Sequence, residues 1–175
     1  MQQITNETGA FTIDDNGVLK NYQSSAQNQV SENVWRCLDI PEGVRVIPAD
    51  AFRRCRILER LTLPKSLRVI GTSHGCAFAN SKLPHVELPE TLEELGIYAF
   101  GGSSMDSVRI PRGLRSIYNR QFKEAAIGTL YLPVEFRIND SPHGFCEKYA
   151  WGEEQYGYIR SLLVNNTKIG KVFYE

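Results

Sequence analysis

The chain has 175 residues, and its 20 Lys+Arg balance its 20 Asp+Glu, so the formal charge is zero. That length suits one domain, and 42% hydrophobic with 23% charged residues is an ordinary globular composition that argues against intrinsic disorder. Zero net charge argues against an electrostatically driven nucleic-acid or anionic-membrane binder, and no apolar run approaches the roughly 18–20 residues of a membrane span.

Residues 1–34 read as an N-terminal cap. MQQITNETGAFTIDDNG has neither the basic start nor the apolar stretch of a secretory signal, which leaves an intracellular protein or a chain lacking its leader. FTIDDNGVLKNY (11–22) predicts a hairpin turning at Asp15-Asn16-Gly17, and NYQSSAQNQVSEN (21–33) predicts a polar loop.

Residues 35–139 carry a repeat. LDIPEGVRVI (38–47), LTLPKSLRVI (61–70), VELPETLEEL (86–95), VRIPRGLRSI (108–117) and LYLPVEFRIN (130–139) align as apolar-x-apolar-Pro-x-x-apolar; the first four continue x-x-apolar, and Asn139 breaks that continuation in the fifth. Their prolines are spaced by 23, 25, 22 and 22 residues. The longer first spacing is assigned to the stretch between Cys55 and Leu58, and the second largely to the stretch between Ile70 and Ala77. Ala51-Phe52, Ala77-Phe78, Ala99-Phe100 and Gln121-Phe122 follow the first four segments. Three residues past each Phe stands a small side chain (Cys55, Ser81, Ser103, Ala125), and then a large apolar one (Leu58, Leu83, Met105, Ile127). Trp35 fills that last slot for the first unit. A unit of about 22 residues cannot bury its apolar face alone, so the units must stack into a solenoid. Val86-Glu87-Leu88 alternates as a half-buried strand does, and the proline after it, with no N–H, ends the pairing and turns the chain.

From about residue 140 the chain is aromatic-rich, and residues 140–175 read as a C-terminal cap, since a stack exposes apolar surface at both ends. SLLV (161–164) and KVFY (171–174) predict a second hairpin. The four cysteines (37, 55, 76 and 146) form no CxxC pair or metal-ligand spacing, so reduced thiols are expected.

In these residues the sequence resembles the BspA-like leucine-rich repeats of bacterial and some protist surface proteins, through the pattern LxxVxLPxxLxxIGxxAFxxC over about residues 35–138. The resemblance implies a curved solenoid of about five units of 22–25 residues with parallel strands, α/β or mostly β, acting as a binding scaffold. It also implies a cell-surface or secreted location, and adhesin members of the family bind host matrix proteins.

Stacked strands align their outward side chains in columns. One column is Asp39, Thr62, Glu87, Arg109 and Tyr131; the other is Cys37, Arg60, His85, Ser107 and Thr129. Binding is expected on this face, with Arg60, Thr62, His85, Glu87, Ser107, Arg109, Thr129 and Tyr131 as its candidate residues. Arg45, Arg68, Glu93, Arg115 and Arg137 form a column on the opposite wall that reads as solvated stems over apolar surface. His74 and Cys76, in the inserted loop, and His143 with Cys146 invite a nucleophile or metal reading but lack an orienting acid or third ligand. Asn6-Glu7-Thr8 and Asn165-Asn166-Thr167 match the glycosylation sequon. No nucleotide, zinc-protease, serine-hydrolase or calcium-loop motif occurs. The sequence therefore predicts a monomeric, non-catalytic scaffold without cofactor or metal that binds a protein or peptide and no nucleic acid. A surface adhesin is the alternative, and a hydrolase or thiol enzyme using the His74/Cys76 loop a more distant one.

Overall fold

The computed structural model describes residues 1–71, 75–114, 116–117, 120–133 and 167–175. The chain opens with three antiparallel strands, β1 (Gln2–Asn6), β2 (Gly9–Ile13) and β3 (Leu19–Ser24), in the order β1-β2-β3. The predicted hairpin is the β2–β3 pair. Its turn is closed by the Asp14 carboxylate, which accepts from the N–H groups of Asn16 and Val18. Gly17 is required there: its φ is +78°, and a Cβ would stand 2.6 Å from the Gly43 carbonyl oxygen. β1 has no counterpart in the sequence reading. The first sequon is absorbed into structure: the Asn6 side chain accepts from the Thr8 N–H and donates to the Asp39 carbonyl at 2.7 Å.

The stretch 21–33 is not simply a loop. It completes β3 and forms β4 (Gln29–Ser31), which pairs antiparallel with β5 (Val34–Asp39) across a turn at Asn33. Polar residues serve here because β4 is a short edge strand, exposed along its length.

β5, β7 (Arg56–Thr62), β9 (Lys82–Glu87), β11 (Ser104–Arg109), β13 (Ala126–Leu132) and β14 (Lys168–Tyr174) form the parallel part of a seven-stranded sheet ending in β4. A second parallel sheet stacks the two-residue strands β6 (Val46–Ile47), β8 (Val69–Ile70), β10 (Glu94–Leu95) and β12 (Ser116–Ile117). A third wall consists of turns hydrogen-bonded to the turn one unit on, as in Phe52 N–H to Ala77 O at 2.9 Å and Phe78 N–H to Ala99 O at 2.7 Å. The molecule is a mostly-β solenoid, and the described residues contain no helix.

Packing explains the repeat slot by slot. Leu38, Leu61, Val86, Val108 and Leu130 line the long sheet, and Val44, Leu67, Leu92 and Leu114 follow the prolines; all are buried. Phe52, Phe78, Phe100 and Phe122 stack in sequence with centroids 5.2, 5.4 and 5.2 Å apart. Each buried Leu, Ile or Phe contributes on the order of 1.5–3 kcal/mol. The small residues do more than give room. The Ser81 hydroxyl accepts from Cys55 N–H and donates to Phe52 O at 2.9 Å, and Ser103 accepts from Ser81 N–H and donates to Phe78 O at 2.6 Å. Thr167 donates to Phe122 O at 2.8 Å, so hydroxyls satisfy the turn carbonyls of Phe52, Phe78 and Phe122, while Ala125 holds the corresponding slot for Phe100.

The N-terminal strands pack against the first turn of this coil. Val18 bridges to Val46, and Gly17 O accepts from the N–H groups of Arg45 and Val46, so the meander stands where a preceding unit of the short sheet would. Buried Asn28 does the same for β5, accepting from Cys37 N–H at 2.8 Å and donating to Cys37 O at 2.7 Å.

Two expectations are corrected. Ile57, not Leu58, fills the large apolar slot: it is 3% exposed and pairs with Trp35, while Leu58 is 40% exposed. The extra residue of that unit sits later, in a shift of register between Trp35 and Cys37. With Ile57 in the slot, each large apolar residue stands two past its small neighbour, at Ile57, Leu83, Met105 and Ile127. Second, KVFY belongs to β14, whose partner among the described residues is β13, parallel, from Ala126↔Lys168 to Leu132↔Tyr174. It adds a rung to the sheet. SLLV, its expected hairpin partner, and the rest of the cap over 140–166 lie outside the described residues.

Candidate functional site

The outward side chains of the long sheet do form columns. Cys37 pairs with Arg60 and Asp39 with Thr62; further along, His85, Ser107 and Thr129 are in register, as are Glu87, Arg109 and Tyr131. β14 extends both rows, placing Lys171 beside Thr129 and Phe173 beside Tyr131. Inward neighbours pack to the core while these positions remain exposed or half-buried, as strand alternation requires.

The two halves of the face differ in chemistry. In the N-terminal half the charges are paired with one another. Arg60 donates twice to Asp39, with Nε to Oδ1 at 2.9 Å, and the Thr62 hydroxyl donates to the same oxygen at 2.7 Å. The Arg60 hydrogen bond is the main reason the Asp39 carboxyl lies below the usual carboxylate range. Arg36 pairs with Glu59 at 3.2 Å. The Cys37 thiol, partly desolvated, is pushed up, so it is a poor nucleophile.

The C-terminal half is aromatic. Tyr131 lies between its two neighbouring strands' side chains: the Arg109 guanidinium stands 4.9 Å from its ring centroid, and the Phe173 ring stacks at 5.6 Å and 21°. His85 meets the same ring edge-on at 6.3 Å, and its Nδ1 is hydrogen-bonded to the Ser107 hydroxyl. Arg109 also forms ion pairs with Glu87, at 3.9 Å, and with Glu175. Phe173 is 49% exposed. The His85–Ser107 contact pairs a base with a hydroxyl, but among the described residues no carboxylate orients the imidazole, and the pair stands on an open strand face.

All eight sequence-predicted residues lie on this sheet. Arg60 and Thr62 converge on Asp39, whereas His85, Glu87, Ser107, Arg109 and Tyr131 form one contact network; Thr129 shares the register of His85 and Ser107. Lys171, Phe173 and Glu175 were missed. For Lys171 and Phe173 a signal was present: KIGKVFY (168–174) aligns without a gap on AIGTLYL (126–132), sharing Ile-Gly and the apolar-aromatic pair Val172-Phe173 against Leu130-Tyr131.

On the opposite wall, Arg68 is paired with Glu93 at 3.6 Å, and Arg115 and Arg137 lie outside the described residues. Outside them too are His74, His143, Cys146 and the two asparagines of the second sequon, while its Thr167 is described and Cys76 is half-buried. Burial raises the Cys55 thiol to about 11. Among the described residues no group of three or more His, Cys, Asp or Glu could hold a metal ion, and no helix is long and apolar enough to cross a membrane.

No curated protein and no solved structure matches the chain. The model of the BspA type leucine rich repeat region matches residues 31–148 in six copies, about two thirds of the sequence, one copy more than the five aligned segments. With parallel strands, post-strand prolines and a buried Phe stack all in place, the chain belongs to the BspA-type leucine-rich repeat family.

Proposed function

We propose that this protein is a non-catalytic scaffold that binds a protein or peptide across the outward columns of its long sheet. The observation that carries the reading is the aromatic and polar cluster of His85, Arg109, Tyr131 and Phe173. These side chains contribute nothing to the buried core, and Phe173 is 49% exposed. Tyr, Arg and other aromatic side chains are the residues that dominate protein interfaces. Stacked repeats make such a surface continuous, so contact energy spreads over several units.

The test is photocrosslinking in the native cell from benzoylphenylalanine placed at Ser107 or Thr129, against Glu90 on the turn after β9. A discrete adduct from the face positions alone supports the reading. Adducts from Glu90 alone, or equally from all three, reject it.

A second reading, adhesion at the cell surface, is favoured by family membership. Protease added to intact cells separates the two. Digestion points to an extracellular ligand such as a matrix protein, and protection rules adhesion out.

A further inference from the structure

The last strand presents two lysines that form no ion pair among the described residues, and a ring that is 49% exposed. Lys168, Lys171 and Phe173 are exposed on β14, while Ile169 and Val172 of the same strand pack against the core. Neither lysine has an ion-pair partner among the described residues, in contrast to Arg109 two strands away, which is held by both Glu87 and Glu175. Among the described residues, the end of the face therefore carries positive charge in excess, next to an apolar platform. That platform is preorganised: Phe173 rests on Tyr131, and Tyr131 is backed by the Arg109 guanidinium.

We propose that this end of the face anchors an acidic segment of a partner protein that carries an aromatic side chain next to its carboxylates. Phe173 receives the ring, and Lys171 and Lys168 receive the carboxylates. The proposal rests on the strand face being the binding surface and adds where on it the partner is anchored and by what chemistry. A strand rises about 3.3 Å per residue, which sets Lys171 and Phe173 roughly 6.6 Å apart and Lys168 roughly 10 Å from Lys171. An extended ligand of matching spacing has a carboxylate two residues before its ring and a second carboxylate three residues before the first. A basic segment would meet like charge from both lysines. A polyphosphate chain running along the row would meet the carboxylates of Glu87 and Glu175. A neutral sugar could stack on Phe173 but would leave both ammonium groups without a counter-charge.

The experiment titrates the isotope-labelled full chain with the peptide EGGEGF and follows amide shifts by NMR, alongside KGGKGF, EGGEGA and chitotetraose. Shifts centred on Lys168–Tyr174 and Tyr131 are expected with EGGEGF. KGGKGF and EGGEGA should bind at least tenfold more weakly, and added salt should weaken EGGEGF. Phe173→Ala and Lys171→Glu should each reduce its affinity at least tenfold. Their thermal unfolding is measured alongside, and Phe173→Trp, which keeps an aromatic platform, should retain binding. Equal affinity for KGGKGF, preference for chitotetraose, or no shift up to millimolar EGGEGF overturns the anchor. Shifts centred on Cys37–Thr62 overturn it too but leave the strand face as the binding surface. Shifts confined to the Arg68–Glu93 wall count against both readings, as does failure of the crosslinks at Ser107 and Thr129.

Discussion

Phe78→Ala strikes the coil where two stacking contacts meet. The ring is fully buried, 5.2 Å from Phe52 on one side and 5.4 Å from Phe100 on the other. Truncating such a ring removes its transfer free energy and leaves a cavity, together about 3–5 kcal/mol. The two stacks, each worth about 0.5–1.5 kcal/mol beyond area, place the loss toward the upper end of that range. Turns in a solenoid touch only their neighbours, so the hole also uncouples the units on either side. At about 4 kcal/mol the melting temperature should fall by roughly 8–16 °C for a chain of this size. Urea unfolding followed by far-ultraviolet circular dichroism, with Phe52→Ala and Phe100→Ala in parallel, measures the loss. Phe78→Leu keeps most of the volume and gives up the stacking, so it should cost only about 1–2 kcal/mol. A loss under about 1 kcal/mol in all three alanine variants would refute the stack as the element that ties the turns together.

Ser103→Ala removes the hydroxyl that serves Phe78 O and Ser81 N–H, leaving buried groups unpaired. It should cost about 1–3 kcal/mol in the same assay, and a neutral result would show the hydroxyl ladder to be dispensable. Arg54 holds a left-handed φ of 58° at the turn position that Asn80 and Gly102 occupy in the next two units. Arg54→Asn should therefore stabilise the protein, by about 0.5 kcal/mol, and lower stability would contradict the strain assignment. The depressed Asp39 carboxyl supplies stability that is fully present above its ordinary unfolded value, about 4, and lost as pH falls through the lower folded value. Arg60→Ala should raise the Asp39 midpoint, read by carboxyl carbon NMR, and its stability deficit should shrink on acidification. A deficit independent of pH would exclude the Arg60–Asp39 pair as its source.

The sequence made the inward half of the structure legible and the outward half only by position. Leu38, Pro41, Phe52 and their counterparts recur because each turn must fill the same slot against its neighbours, and that demand imposes periodicity. The columns then follow from geometry, and the register from His85 through Ser107 to Thr129 is the one expected. What lay hidden had no period to show. β1 and β4 are polar edge strands, and the Asn6 and Asn28 side chains near them reach across the chain to the backbone of β5 at Asp39 and Cys37. β14 was obscured differently. More than thirty residues separate it from β13, so KIGKVFY looked like half of a local hairpin although it repeats AIGTLYL. Leu58 was misplaced because counting back from Leu61 and counting forward from Cys55 disagree by one residue, and only pairing with Trp35 decides between them.

The face is graded along the solenoid, and the gradient bears on where a partner can gain free energy. A partner covering the N-terminal half must desolvate Asp39–Arg60 and Arg36–Glu59, pairs already satisfied by each other. Exposed pairs of this kind contribute only about 0–1 kcal/mol where they are, and burying them gains nothing unless the partner supplies new hydrogen bonds. At the other end, Phe173 leaves about half of an aromatic surface in water. Covering roughly 100 Å² of it at about 25 cal/mol per Å² is worth about 2.5 kcal/mol, more than any single ion pair on the face. The asymmetry predicts a corresponding asymmetry in mutational effect. Arg60→Ala should leave partner affinity within a few-fold of wild type, while Phe173→Ala should reduce it at least tenfold. A partner that responds more to Arg60 than to Phe173 would mean that its contact energy is electrostatic and sits at the N-terminal end, contrary to the grading of the surface.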